Sequence, residues 1–118
     1  MAMAQLSGCN AEELRYGMKT YHGVDRRFDF KIRNQRHVLL SDYAHHPKEI
    51  YQSAKSLREL YSDRKITAIF QPHLYTRTRD FYKDFAKALS QLDEVILTEI
   101  YPARELPIEG VTSKLIYD

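Results

Sequence analysis

At 118 residues and 43% apolar, the chain is long enough for one ordinary domain and too apolar to be disordered. Eighteen basic residues against 16 acidic ones leave a formal net charge of +2, which does not imply a general electrostatic role on nucleic acid or membrane and leaves any anion attraction to local placement. Cys9 is the only cysteine, so no internal disulfide or CxxC metal knuckle exists, and no apolar run nears the length of a membrane span; the chain reads as soluble and cytoplasmic.

Residues 1–7 read as a short helix ended by Gly8. Asn10 followed three residues later by Glu13 is a capping box that opens a second helix, with Leu14, Met18 and Tyr21 on one face and Gly23 at its end. In "RFDFKIR" Phe28, Phe30 and Ile32 alternate with charged or polar neighbours, which predicts a strand. "NQ" at 34–35 supplies a hairpin turn, and "HVLLS" returns as a second strand up to Asp42. Pro47 suits the first turn of a helix running to about Tyr61, with Ile50, Ala54, Leu57 and Tyr61 inward.

"KITAIF" is a short apolar strand, and "RDFYKDFAKALSQL" is helical with Phe81, Phe85, Leu89 and Leu92 on its inner face. "EVILT" is a further strand, "YPARELPIEG" a loop, and "TSKLIYD" the beginning of a helix. Alternating strand and helix predicts an α/β fold with a parallel sheet, and the continuous apolar strands predict burial on both sheet faces. Opening helices without a sheet of their own, and a last helix just begun, read as an excised piece of a larger protein.

Three polar segments each follow a strand: "DYAHH", "QPHLYTRTRD" and "EIYPARE". Ligands of open parallel sheets bind outside the carboxyl ends of the strands. On that rule Asp42, Tyr43, His45, His73, Arg77 and Glu99 or Glu105 face one crevice. Arg77 and Arg79 near a helix start offer positive charge to a carboxylate or phosphate, the histidines exchange protons near neutrality, and Asp42 accepts hydrogen bonds from a diol or an amine. Adjacent His45 and His46 make a poor metal pair with no third ligand at zinc spacing, and His46 is better read as the cap of the helix at Pro47. No GxxxxGK[ST] or GxGxxG phosphate cradle is present.

"GVDRRFD", "SDYAHHPKEI", "FQPHLYTRTRD" and "YPARELPIEG", in this order, resemble the Mur ligases in their alanine-adding branch, over nearly the whole chain. The resemblance implies that residues 1–27 are the tail of the central, ATP-binding domain. It implies that 28–118 are an incomplete C-terminal domain: Rossmann-like α/β, mostly parallel sheet with flanking helices and an N-terminal β-hairpin. The implied reaction joins L-alanine to UDP-N-acetylmuramate through an acyl phosphate made from ATP. ATP and Mg2+ are held mainly by the central domain, which this sequence lacks, so the segment alone is expected to be inactive.

The implied partners are UDP-N-acetylmuramate, L-alanine, ATP and the two other ligase domains, with no nucleic acid and no membrane. By the same resemblance Arg27 reaches the ATP γ-phosphate, and Asp42 accepts from the ribose. Tyr43, His45, His73 and Arg77 line the alanine and the acyl end of the muramate, and Glu105 joins them as a substrate-binding candidate. Arg27, His45 and His73 are the implied catalytic residues. Many Mur ligases carry arginine where this chain has Leu74, which leaves Arg77 more of the carboxylate binding. The alternative reading is a nucleotide or single-stranded nucleic-acid binding module built on the basic and aromatic stretch 73–83.

Overall fold

The computed structural model describes residues 2–117 and separates into two compact units, Met1–Ser41 and Asp42–Asp118. The first unit holds helices α1 (Ala2–Leu6) and α2 (Ala11–Thr20) and strands β1 (Asp29–Arg33) and β2 (Val38–Ser41). The capping box forms as the sequence predicts: the Asn10 side chain accepts from the N–H groups of Glu12 and Glu13, and Glu13 accepts from the Asn10 N–H at 2.8 Å. Strands β1 and β2 pair antiparallel through a turn organised by Asn34, whose side chain accepts from the N–H groups of Arg36 and His37. A register shift between Phe30 and Ile32 breaks the alternation, and Ile32 is left 46% exposed. No described residue of this unit is buried.

The second unit contains α3 (Pro47–Leu60), β3 (Thr67–Phe70), α4 (Tyr75–Leu89), β4 (Glu94–Leu97) and a 3-10 turn, η1 (Ser113–Ile116), where the sequence predicts the start of a helix. Strands β3 and β4 pair in parallel with Ile69 opposite Ile96, joined by α4 as a β-α-β unit. The Rossmann-like α/β expectation is met in this layer. The expected N-terminal hairpin is present and forms its own two-stranded sheet, so "DYAHH" leaves an antiparallel strand and not a third strand of the parallel β3–β4 sheet.

The core is Ile50 of α3, Phe70 of β3, Phe85, Ala88 and Leu89 of α4, and Ile116 of η1, with Val95 and Leu97 of β4 packed against it. Burial therefore alternates along β3 and β4, and it is one-sided. Ile69 and Ile96 point away from the core at 75% and 49% exposure, so the expected cover on both faces is absent among the described residues. Phe81 also departs from expectation: it is 37% exposed and packs on the His46 ring at 5.2 Å.

Helix α4 begins four residues before the predicted start. Its first turn carries no side-chain cap from its own N-cap residue, Leu74, which stands at φ +75°. That conformation is costly for any residue but glycine and persists only where surroundings hold it.

Candidate functional site

The segment after β2 is shaped by short-range hydrogen bonds. One oxygen of Asp42 accepts the Ala44 N–H at 3.3 Å, and the other accepts the Ser53 hydroxyl from α3. Glu49, in the first turn of α3, accepts the N–H groups of His45 (3.0 Å) and His46 (3.1 Å). The Nδ1 of His46 accepts from the Lys48 N–H and Pro47 occupies the first turn, so His46 is the helix cap the sequence predicts. The chain is thereby bent so that His45 projects: its Nδ1 lies 2.9 Å from the Tyr43 carbonyl oxygen and its ring 5.1 Å from the Tyr43 ring.

The segment after β3 meets it. The His73 ring centroid is 6.2 Å from that of His45 and 5.4 Å from that of Tyr101, on which it stacks. Tyr101 belongs to the segment after β4, which hydrogen-bonds alongside His73: the Tyr101 N–H donates to Pro72 (2.8 Å), and the Tyr101 carbonyl accepts from the Leu74 N–H (3.0 Å). Arg77, on the first turn of α4, points its guanidinium at the His45 carbonyl at 3.5 Å. The three strand-exit segments thus share one rim. His45, His73 and Arg77 converge there with Tyr43 and Tyr101 beside them, 52% and 51% exposed.

Electrostatics set the protonation of this rim. The pKa of His73 lies below the ordinary 6.5, first because burial penalises the imidazolium, then because the charge of Arg77 repels it and the neighbouring His45 disfavours a second imidazolium; Glu105 opposes them. Its Nδ1 is buried and has no hydrogen-bond partner among the described residues. A depressed histidine pKa favours the neutral ring in the folded chain. The stability it contributes is therefore present above the unfolded value and lost as pH falls through the folded one. We expect the His73 ring resonances in an NMR titration to show a midpoint below 6.5. A midpoint at or above that value would contradict the described surroundings.

Glu105 is engaged at α4: its carboxylate accepts the Thr76 N–H at 3.0 Å and the Thr76 hydroxyl at 2.5 Å. Those two bonds, the Tyr75 N–H and the charge of Arg77 hold its pKa below the carboxylate norm. Asp42 opens the first of the three segments. Arg27 belongs to the other unit, in a tight turn where its N–H donates to the Val24 carbonyl (3.1 Å), between Arg26 at φ +59° and Phe28 at φ +48°. Arg79 is paired with Asp80 at 2.7 Å, and Phe81 is taken up by His46, so the 73–83 stretch does not present a free aromatic and basic platform.

Three participants carry no sequence signal of their own. Tyr101 stacks on His73 across the sheet, Ser53 holds Asp42 from 11 residues away, and Thr76 is held by Glu105 from 29 residues away. Among the described residues no three His, Cys, Asp or Glu side chains gather to hold a metal ion, and no helix is long and apolar enough to cross a membrane.

Comparison with known proteins places the chain in a family. The family described as "Mur ligase, glutamate ligase domain" matches residues 26–118. The UDP-N-acetylmuramate–L-alanine ligase of Phocaeicola vulgatus is 71% identical over all 118 residues, which are 26% of that protein. That of Parabacteroides distasonis is 59% identical over the same span, also 26% of its length. The crystal structure of the UDP-N-acetylmuramate-alanine ligase of Thermotoga maritima superposes on 85% of this chain and 22% of its own, with TM-score 0.68 and 32% identity. The chain spans about a quarter of the length of the curated relatives it matches. By its sequence match over residues 26–118, and with the matching fold, the chain belongs to the Mur ligase family, in its glutamate ligase domain.

Proposed function

We propose that this chain is a segment of the ATP-dependent ligase that joins L-alanine to UDP-N-acetylmuramate, and that it supplies the amino-acid-facing wall of the active site. The observation that carries the reading is the convergence of His45, His73 and Arg77 on one rim of a domain of this family.

Catalysis of acyl transfer from an acyl phosphate to an amine is mostly positioning and charge neutralisation. Arg77 pairs with the alanine carboxylate, since a guanidinium matches a carboxylate with two parallel bonds. A neutral His73 beside that site accepts a hydrogen bond from the alanine ammonium and so orients its nitrogen; His45 and Tyr43 frame the same space. Asp42 is oriented by Ser53 and the Ala44 N–H and keeps acceptor capacity for the ribose hydroxyls of ATP. Arg27 serves the γ-phosphate. The segment has no phosphate-binding glycine loop and, among the described residues, no cluster of metal ligands, so we assign Mg2+ and most of the phosphate binding to the remainder of the ligase.

The test is phosphate release. A ligase of the relatives' length carrying this segment should consume ATP only when UDP-N-acetylmuramate, Mg2+ and L-alanine are all present, and the 118-residue chain alone should release none. Turnover by the chain alone, or by the longer enzyme without alanine, would overturn the reading.

A further inference from the structure

The loop after β4 is fastened to the start of α4 at two points. At Tyr101 the backbone bonds to Pro72 and Leu74, and the ring lies on His73. Four residues later Glu105 engages Thr76 through both carboxylate oxygens. Between these points the chain reverses in a turn closed by the Glu105 N–H to the Pro102 carbonyl at 2.9 Å, with Ala103 at φ +52°.

A helix start leaves backbone N–H groups without partners inside the helix. Most helices answer with Ser, Thr, Asp or Asn at the N-cap. Here the N-cap is Leu74, which has no polar side chain and sits in a strained conformation. The missing acceptor comes from Glu105, 29 residues away. His73 directly precedes the strained residue, and Arg77 lies in the turn that Glu105 caps. Both depend for their direction on how that turn is held.

We propose that Glu105 is a positioning residue: it caps the first turn of α4 through Thr76, clamps the 101–105 loop to that turn, and so sets where Arg77 and His73 meet the amino-acid substrate, without touching the substrate itself. The identity of that substrate rests on the function proposed above.

The role separates from direct substrate contact by its response to Gln. A carboxamide oxygen accepts the Thr76 N–H while its NH2 donates to the Thr76 hydroxyl, so Glu105→Gln keeps the cap and loses only the charge. In the longer ligase, Glu105→Ala should raise KM for L-alanine about tenfold and leave KM for ATP within about threefold, while Glu105→Gln stays within about threefold of the parent for both. Thr76→Val should weaken alanine binding in the parent and add nothing in the Glu105→Ala background. If Gln fares as badly as Ala, or if both KM values rise together, the positioning role is wrong.

A second readout needs no substrate. In the 118-residue chain, hydrogen exchange followed by NMR should show the Thr76 amide losing protection in Glu105→Ala while the Phe85 amide keeps its own. An unchanged Thr76 amide overturns the clamp. Lost protection in a protein whose longer form shows no alanine-dependent turnover supports the clamp and overturns the ligase reading instead.

Discussion

Phe85→Ala is expected to lower the unfolding free energy by about 3–5 kcal/mol, the usual range for deleting a fully buried aromatic side chain. Phe85 is 0% exposed and lies at the centre of the core, where its ring meets Phe70 at 5.4 Å and is surrounded by Ile50, Ala88, Leu89 and Ile116. Those neighbours come from α3, β3, α4 and η1, so no single element can shift to fill the space it leaves. Domains of this size have about 5–15 kcal/mol in total, and the substitution removes a large share of it. Urea unfolding followed by circular dichroism measures the effect. A loss below about 1 kcal/mol would mean that the ring is not the keystone of this packing. Phe81→Ala, by contrast, deletes a ring already 37% exposed and should cost clearly less than Phe85→Ala in the same measurement.

Arg77→Ala in the longer ligase should raise the apparent KM for L-alanine by about 10- to 150-fold, with KM for ATP changed less than about threefold. The range follows from about 1.5–3 kcal/mol for a charge-assisted hydrogen bond to a carboxylate. The position of Arg77 makes the split meaningful. Its guanidinium is half-buried on the first turn of α4 and aimed at the His45 carbonyl, so it already spans the gap between the "DYAHH" and "QPHLY" segments. Leu74, three residues before it, contributes no second cation. Arg77→Lys should recover only part of the loss, because a single ammonium cannot make two parallel bonds to a carboxylate. Steady-state kinetics with each substrate varied in turn decides the matter, and equal increases in both KM values would remove Arg77 from the amino-acid role.

Much of the local architecture is legible along the chain because it depends on neighbours within a turn or two. The Asn10 and Glu13 capping box, the Asn34 turn, and the start of α3 at His46 and Pro47 are contacts over two to four residues, and each forms as its residue types predict. The candidate site was legible for a different reason. Polar segments at the ends of strands converge when the strands run in parallel, and "QPHLY" and "EIYPARE" follow the paired strands β3 and β4. His73 and Arg77 follow from that rule, whereas His45 follows β2 of the separate antiparallel hairpin, so its meeting with them is decided by the tertiary structure.

Where expectation and structure part, the deciding contact spans a long stretch of chain. The start of α4 reads too late because its cap, Glu105, lies on another loop, and no residue near Leu74 announces it. Each face of "TAIF" and "EVIL" carries apolar residues, and the packing of Ile50, Phe85 and Ile116 covers the one with Phe70 and Leu97, leaving Ile69 and Ile96 bare beside Thr67 and Glu94. By itself, then, the amino-acid order determined most of the helices and turns, which follow from short-range bonding and residue type, and its motifs pointed by resemblance to the family and to candidate residues of the rim. The tertiary structure alone decided the capping of the first turn of α4, the stacking of Tyr101 on His73 and the depressed basicity of that ring. The capping and the stacking arise from groups 29 and 28 residues apart that meet because β3 and β4 pair side by side, whereas the lowered pKa of His73 comes first from burial and then from Arg77 and His45.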